Sequence, residues 1–99
     1  ARIEVVSCLM QSTIVNRKKL PVQKAVAAKK SALLLQAIKQ TLRYGDIFTQ
    51  YNTSRFLIIL NHTKKENGKI VFNRIAKVYE ELGGNRRDID YQITPMYQE

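Results

Sequence analysis

The sequence has one cysteine, one histidine, two prolines, no tryptophan, and eight acidic residues against seventeen basic ones. Each scarcity removes a class of function. A lone Cys8 excludes a disulfide framework and a cysteine-based zinc site. It fits a reduced cytoplasmic compartment, and within the apolar run Val5-Val6-Ser7-Cys8-Leu9-Met10 it reads as a buried structural thiol. His62 stands beside Asn61 and Thr63 with no cysteine or carboxylate cluster near it, so a turn residue is expected there and no metal site. There is neither a signal-peptide h-region nor an apolar run long enough to span a bilayer. With Ala1 in first place, the expectation is a soluble cytoplasmic piece of a larger protein, with residues 1–99 forming one domain. A chain of this length buries only about 60–65% of the surface its unfolded form exposes, enough for one modest core.

The shortage of acid is uneven. Residues 1–49 carry nine basic and two acidic side chains, a net of +7, and residues 50–99 carry eight and six, a net of +2. No acidic residue lies between Glu4 and Asp46, whereas Arg17, Lys18, Lys19, Lys24, Lys29, Lys30, Lys39 and Arg43 all do. Arg17, Lys18, Lys19, Lys24, Lys29 and Lys30 are therefore candidate anion-binding residues, attractive to the phosphates of nucleic acid or a nucleotide, or to an acidic partner. The plainer reading is a solvated basic face serving solubility.

What is present is a clear alternation of elements. Residues 3–10 are apolar and β-branched enough for a buried strand, and Gln11 to Leu20 reads as a loop. Pro21 marks a helix start, and Val22 to Arg43, with Leu34, Leu35, Ile38 and Leu42 at helical spacing, reads as a long amphipathic helix. Tyr44-Gly45-Asp46 ends it, Gly45 suiting a left-handed cap. Two hairpin strands follow near 47–51 and 56–61. Thr63-Lys64-Lys65-Glu66 has capping-box spacing, and Val71, Ile75, Val78 and Leu82 mark one face of a second helix that Gly83-Gly84 stops, with Gly68 weakening its first turn. Asp88 to Thr94 alternates as a final strand, and Pro95 limits its continuation. The order β-α-β-β-α-β predicts an α+β, ferredoxin-like sandwich: a four-stranded antiparallel sheet with both helices on one face. That fold hosts many functions and decides none of them.

The hairpin carries the functional signal. In Leu42-Arg43-Tyr44-Gly45-Asp46-Ile47-Phe48-Thr49-Gln50-Tyr51-Asn52-Thr53-Ser54-Arg55-Phe56, followed by Leu57-Ile58-Ile59-Leu60 and Thr63, residues 43–82 resemble the second half of the GGDEF domain, the diguanylate cyclase family of the nucleotide-cyclase superfamily. Arg43 and Asp46 stand where the family has Arg-x-x-Asp, and Asn52-Thr53-Ser54-Arg55-Phe56 stands for Gly-Gly-Asp-Glu-Phe. The degenerate form, with a Gly-Asp opening and a Ser-x-Phe tip, is similar to that in bacterial regulators that carry a bacterial transcriptional activator domain. The first forty residues agree only in the order of elements.

The resemblance implies a site whose chemistry has been removed. Cyclisation of nucleoside triphosphates needs carboxylate-held metal ions to neutralise developing charge, and a glycine turn whose N–H groups approach the phosphates. Asn52 and Thr53 replace the glycines, so a β-branched side chain stands where a phosphate must come close. Ser54 and Arg55 replace the acids, and Arg55 inverts the charge at a metal-ligand position. Val5 to Gln11 contains no acid to stand for the family's other ligand, an aspartate at the end of the first strand. No catalytic residue, metal or cofactor is expected, and the chain is read as non-enzymatic.

Three roles stay open. Arg43 and Asp46 match the spacing of the family's inhibitory site for cyclic di-GMP and are candidate ligand-binding residues; alternatively, Arg43 in a helix's last turn and Asp46 before a strand are ordinary. A basic nucleic-acid-binding ferredoxin-like module is a further alternative, although residues 3–10 have no aromatic and residues 55–61 only Phe56, so the stacking platform of an RNA recognition motif is missing. The five tyrosines, 44, 51, 79, 91 and 97, read as packing residues with a wet hydroxyl. The preferred reading is a regulatory interaction domain that pairs with other domains of the same regulator or with itself as a homodimer, DNA being contacted through a separate domain and no membrane being involved.

Overall fold

The computed structural model describes residues 5–98. Its elements are β1 (Val5–Ile14), α1 (Lys24–Thr41), β2 (Ile47–Asn52), β3 (Arg55–Asn61), α2 (Lys65–Glu81), a short 3-10 turn (Arg86–Asp88) and β4 (Ile89–Gln98). The four strands form one sheet in the order β2-β3-β1-β4, antiparallel at every step. This is the expected ferredoxin-like α+β sandwich, and β1 and β3 occupy its centre.

Period two explains the core. Cys8, Met10, Ser12 and Ile14 of β1 pair with the β3 positions Leu60, Ile58, Phe56 and the tip, and these side chains are buried beneath the helices. Helix α1 contributes Ala27, Ser31, Leu34, Ala37 and Ile38, and α2 contributes Gly68, Phe72, Ile75, Ala76 and Tyr79, each set lying on one helical stripe. The opposite sheet face holds Leu9, Gln11, Thr13, Leu57 and Ile59 and is only partly covered.

Several expected boundaries move. The polar stretch from Gln11 suggests a loop, but β1 continues to Ile14, because Ser12 and Ile14 keep the inward phase while Gln11 and Thr13 face out. Ile3 and Glu4, expected in the same strand, lie outside the described residues. Helix α1 begins at Lys24 rather than beside Pro21, with Gln23 as an N-cap that makes no side-chain bond. It ends at Thr41, and Gly45 (φ +95°) serves the next turn, in which Asp46 N–H bonds Arg43 C=O at 3.0 Å.

The capping box at Thr63 does not form. Lys64 is the N-cap of α2 without a side-chain bond, while Thr63 Oγ1 bonds Asn61 C=O at 2.9 Å and receives Arg43. The buried stripe of α2 holds Ile75, as expected, with Phe72, Ala76 and Tyr79, whereas Val71, Val78 and Leu82 flank it. Gly68 earns its place by packing, since a Cβ there would lie 3.2 Å from Ile93 Cδ1. Strand β4 runs through Pro95, opposite Cys8, because an edge strand can turn a missing N–H outward.

Candidate functional site

The hairpin tip is a two-residue turn, Thr53-Ser54, closed by the Asn52–Arg55 pair and preceded by a register shift between Gln50 and Asn52. Asn52 Oδ1 accepts Ser54 N–H at 2.9 Å, the local Asx bond expected of a turn asparagine. Two neighbours then fix the tip from beneath. Ile14 N–H donates to Ser54 C=O at 2.8 Å, and Ser31 Oγ of α1 donates to Thr53 C=O. Phe56, the last residue of the motif, is fully buried. The tip therefore sits over the end of β1 and beside the first turns of α1.

An open cleft of about 650 Å³ lies between the tip, the end of β1 and the start of α1. Lys19, Lys24 and Arg55 reach it, and Asp90 is its one carboxylate. Lys19 Nζ stands 3.6 Å from Asp90 Oδ1, an exposed pair. A metal pair, which the resemblance implies for an active cyclase, does not fit this donor set. Ser54 and Arg55 occupy the tip, β1 supplies no acid from Val5 to Ile14, and no group of three His, Cys, Asp or Glu side chains gathers among the described residues.

The candidate anion ligands do not all share this cleft. Arg17, Lys18 and Lys19 follow β1 in a loop organised by Asn16, whose Oδ1 accepts the N–H groups of Lys18 at 2.8 Å and Leu20 at 3.0 Å, with Lys19 at φ 60°. Lys29 is exposed on α1. Lys30 is half-buried and committed elsewhere, its Nζ 2.9 Å from Asp88 Oδ1.

Arg43 and Asp46 come together, but inward. The Asp46 side chain is 3% exposed. Its Oδ2 accepts Arg43 N–H at 3.0 Å and lies 3.5 Å from Arg43 Nε, and its Oδ1 accepts Asn61 N–H at 3.1 Å. The Arg43 guanidinium donates through Nη2 to Asn61 C=O at 3.1 Å and Thr63 Oγ1 at 2.9 Å. The pair thus ties the α1–β2 junction to the loop between β3 and α2, where His62 (φ 53°) is an exposed turn residue. A shallow hollow of about 220 Å³ beside it is lined by Arg43, His62 and Arg74 among others. Below this loop Cys8 Sγ donates to Thr63 C=O at 2.8 Å; burial, reinforced by Glu66, pushes its thiol pKa up.

One polar cluster escaped the sequence reading. Asp88 accepts Lys30 Nζ on Oδ1, and Tyr79 Oη at 2.8 Å and Asn85 N–H at 3.2 Å on Oδ2. Burial alone would raise the Asp88 carboxyl, but the bonds from Lys30, Tyr79 and Asn85 outweigh it and hold it below its ordinary value. The Tyr79 hydroxyl is pushed up by burial and by its carboxylate partner. Lys30 stands 58 residues from Asp88 and Tyr79 stands nine, across a helix end and a turn, so no helical or strand spacing signals this cluster. The tyrosines also divide: Tyr79 is buried, Tyr91 stacks on Phe72 with centroids 3.7 Å apart, and Tyr44 is fully exposed and packs on nothing.

No helix among the described residues is long and apolar enough to cross a membrane. No protein-family model matches the chain, and no curated protein matches it. Solved structures do. A DGC protein from Thermotoga maritima superposes with TM-score 0.66 at 19% identity, over 94% of this chain and 64% of its own. The diguanylate cyclase SiaD from Pseudomonas aeruginosa, determined with its activator SiaC, gives TM-score 0.63 at 14% identity over 95% and 38%. The GGDEF domain of DgcB from Caulobacter crescentus, determined with c-di-GMP, gives 0.56 at 10% over 96% and 61%. The chain has the fold of a GGDEF, cyclase-like domain. It spans less than two thirds of each of these neighbours.

Proposed function

We propose that this chain is a non-catalytic regulatory domain, a degenerate GGDEF-like module of a bacterial transcriptional or signalling regulator, which acts by contacting other proteins or domains. One observation carries the reading: the tip that would hold metal and triphosphate presents Thr53, Ser54 and Arg55, pinned by Ser31 and Ile14, in a cleft whose single carboxylate is paired with Lys19. Phosphoryl transfer of this kind depends on metal ions neutralising charge on the triphosphate, and a guanidinium at a ligand position repels them. The test is incubation of the protein with GTP or ATP and magnesium or manganese. No cyclic or linear dinucleotide is expected, and metal-dependent product would overturn the reading. Replacing Asn52 and Thr53 by glycine and Ser54 and Arg55 by acids should leave the protein inactive, because β1 still offers no second carboxylate.

A second reading has its own support. The cleft gathers Lys19, Lys24 and Arg55 against one acid, an arrangement suited to weak, metal-independent anion binding. Cyclic-dinucleotide sensing through Arg43 and Asp46 draws less support, because the Asp46 carboxylate already serves two backbone N–H groups.

A further inference from the structure

We propose that the outer edge of β2 is a docking site for an extended segment of a partner protein, added as a fifth strand and carrying carboxylates between apolar side chains. The sheet has two outer strands, and they differ. β4 carries Pro95 and Asp90, devices that discourage strand addition. β2 reads Ile47-Phe48-Thr49-Gln50-Tyr51-Asn52, without a charge or a proline, and is β-branched or aromatic at most positions. Ile47 is 59% and Tyr51 46% exposed. An antiparallel edge turns the N–H and C=O of every second residue outward, so Ile47 to Gln50, the regular part before the register shift, offers an unused ladder.

The ground beside that edge suits an added strand. A shallow hollow of about 450 Å³ lies at the tip end of that edge, between Ala28, Ser31, Ala32 and Leu35 of α1 and residues 50–53 of the hairpin. A new strand would lie about 4.8 Å from β2, and small side chains on the helix leave room for its inward residues. Charge then decides the occupant. Lys24 lies four residues before Ala28 and Lys39 four beyond Leu35, so cations cap both ends of this stripe, within a stretch free of acid from residue 5 to 45. A second copy joined edge to edge would run its α1 antiparallel to the first and set Lys24 against Lys39 at both ends of the seam, between chains of net charge +9. An acidic strand meets the same cations with opposite charge.

This deepens the interaction reading and fails separately from it: cyclase activity would remove that reading and leave the edge untouched, whereas loss of peptide binding would remove the edge site alone. The probe is a short blocked peptide alternating glutamate and valine, added to the whole chain and followed by amide hydrogen exchange. Outward amides within Ile47–Gln50 should slow about tenfold at saturation, and affinity should fall about tenfold between low and high salt. Ala32→Glu, at an exposed position, should abolish binding with an unchanged circular-dichroism spectrum. The same peptide N-methylated at alternate residues should not bind the unaltered protein, a control independent of any variant. Equal binding of the N-methylated peptide would overturn the proposal. So would slowing confined to other elements, or concentration-dependent protection of the β2 amides in the peptide-free protein, which would name a second copy as occupant.

Discussion

Tyr79, the last residue of the buried face of α2, donates its hydroxyl to Asp88 at 2.8 Å, and Lys30 of α1 holds the other oxygen of the same carboxylate. Three elements meet at one acid. Asp88 also closes the capping box of the turn before β4, its Oδ2 receiving Asn85 N–H while Asn85 Oδ1 receives Arg87 N–H. The entry of the last strand is thereby set against both helices, which position the rest of the sandwich.

Asp88→Asn should destabilise the domain by about 1.5–3 kcal/mol, the range for losing hydrogen bonds to a charged group. Asparagine can still accept from Tyr79 but leaves Lys30 unpaired. The pH dependence follows from the lowered carboxyl. Its stabilisation is fully present above the unfolded value of about 3.9 and is lost as pH falls through the lower folded value. Thermal melts of both proteins from neutral pH downward should converge in acid. A constant gap would contradict the assignment.

Gly84→Ala should be as damaging through packing alone. A Cβ at this position would lie 2.1 Å from Tyr79 Cε2, inside the ring that the Asp88 bond holds in place. The ring must move or the turn must open, at about 1–3 kcal/mol for overpacking. In a domain of this size that is about 4–8 °C in Tm per kcal/mol, readable by calorimetry. Gly83→Ala meets no atom within 4 Å but is strained by its φ of +106°, so it loses stability without disturbing Tyr79 fluorescence.

The division between what was legible in the sequence and what was not has a physical cause. The order of elements and the sandwich follow from apolar periodicity, which survives in Leu34, Ile38, Ile58 and Leu60 whatever the surroundings. The end of β1 was hidden because Gln11, Ser12 and Thr13 look like loop, although Ser12 takes an inward place and leaves its hydroxyl without a partner. Thr63 has the spacing of a cap, but its hydroxyl is claimed by Arg43 from a distant loop. Residues 52–55 read as a hairpin tip because a polar tetrad separates two strand-like runs. Their fastening to Ser31 and Ile14, and the pairing of Lys30 with Asp88, are tertiary and leave no trace in spacing.

Anion binding should concentrate in the cleft at the tip. Titration with inorganic phosphate or short duplex DNA should shift the resonances around Lys19, Lys24 and Arg55, and the affinity should fade with salt as exposed cations are screened beyond about 8–10 Å. Arg55→Ala and Lys24→Ala should each weaken it severalfold, whereas Lys30→Ala should act on stability through Asp88. A salt-independent affinity, or shifts centred on Arg74 and His62, would place the site elsewhere.

The Arg43–Asp46 pair makes the sharpest contrast between a structural and a ligand role. Asp46 is buried with two backbone donors to satisfy, so Asp46→Ala strands the N–H groups of Arg43 and Asn61 and should cost about 1–3 kcal/mol. The Arg43 side chain, 58% exposed, should cost about 1 kcal/mol or less when truncated. A cyclic-dinucleotide site would invert the functional ranking. Its ligand would lean on the arginine fork, and any affinity would first have to offset roughly 4–15 kcal/mol of lost freedom, which one exposed arginine already bonded to Asn61 and Thr63 cannot supply. Calorimetry with cyclic di-GMP on the wild type and on Arg43→Ala should therefore show no heat for either protein at high micromolar ligand. Heat from the wild type that Arg43→Ala abolishes, with the melting temperature of the variant unchanged, would establish a ligand role for the pair in place of the structural one.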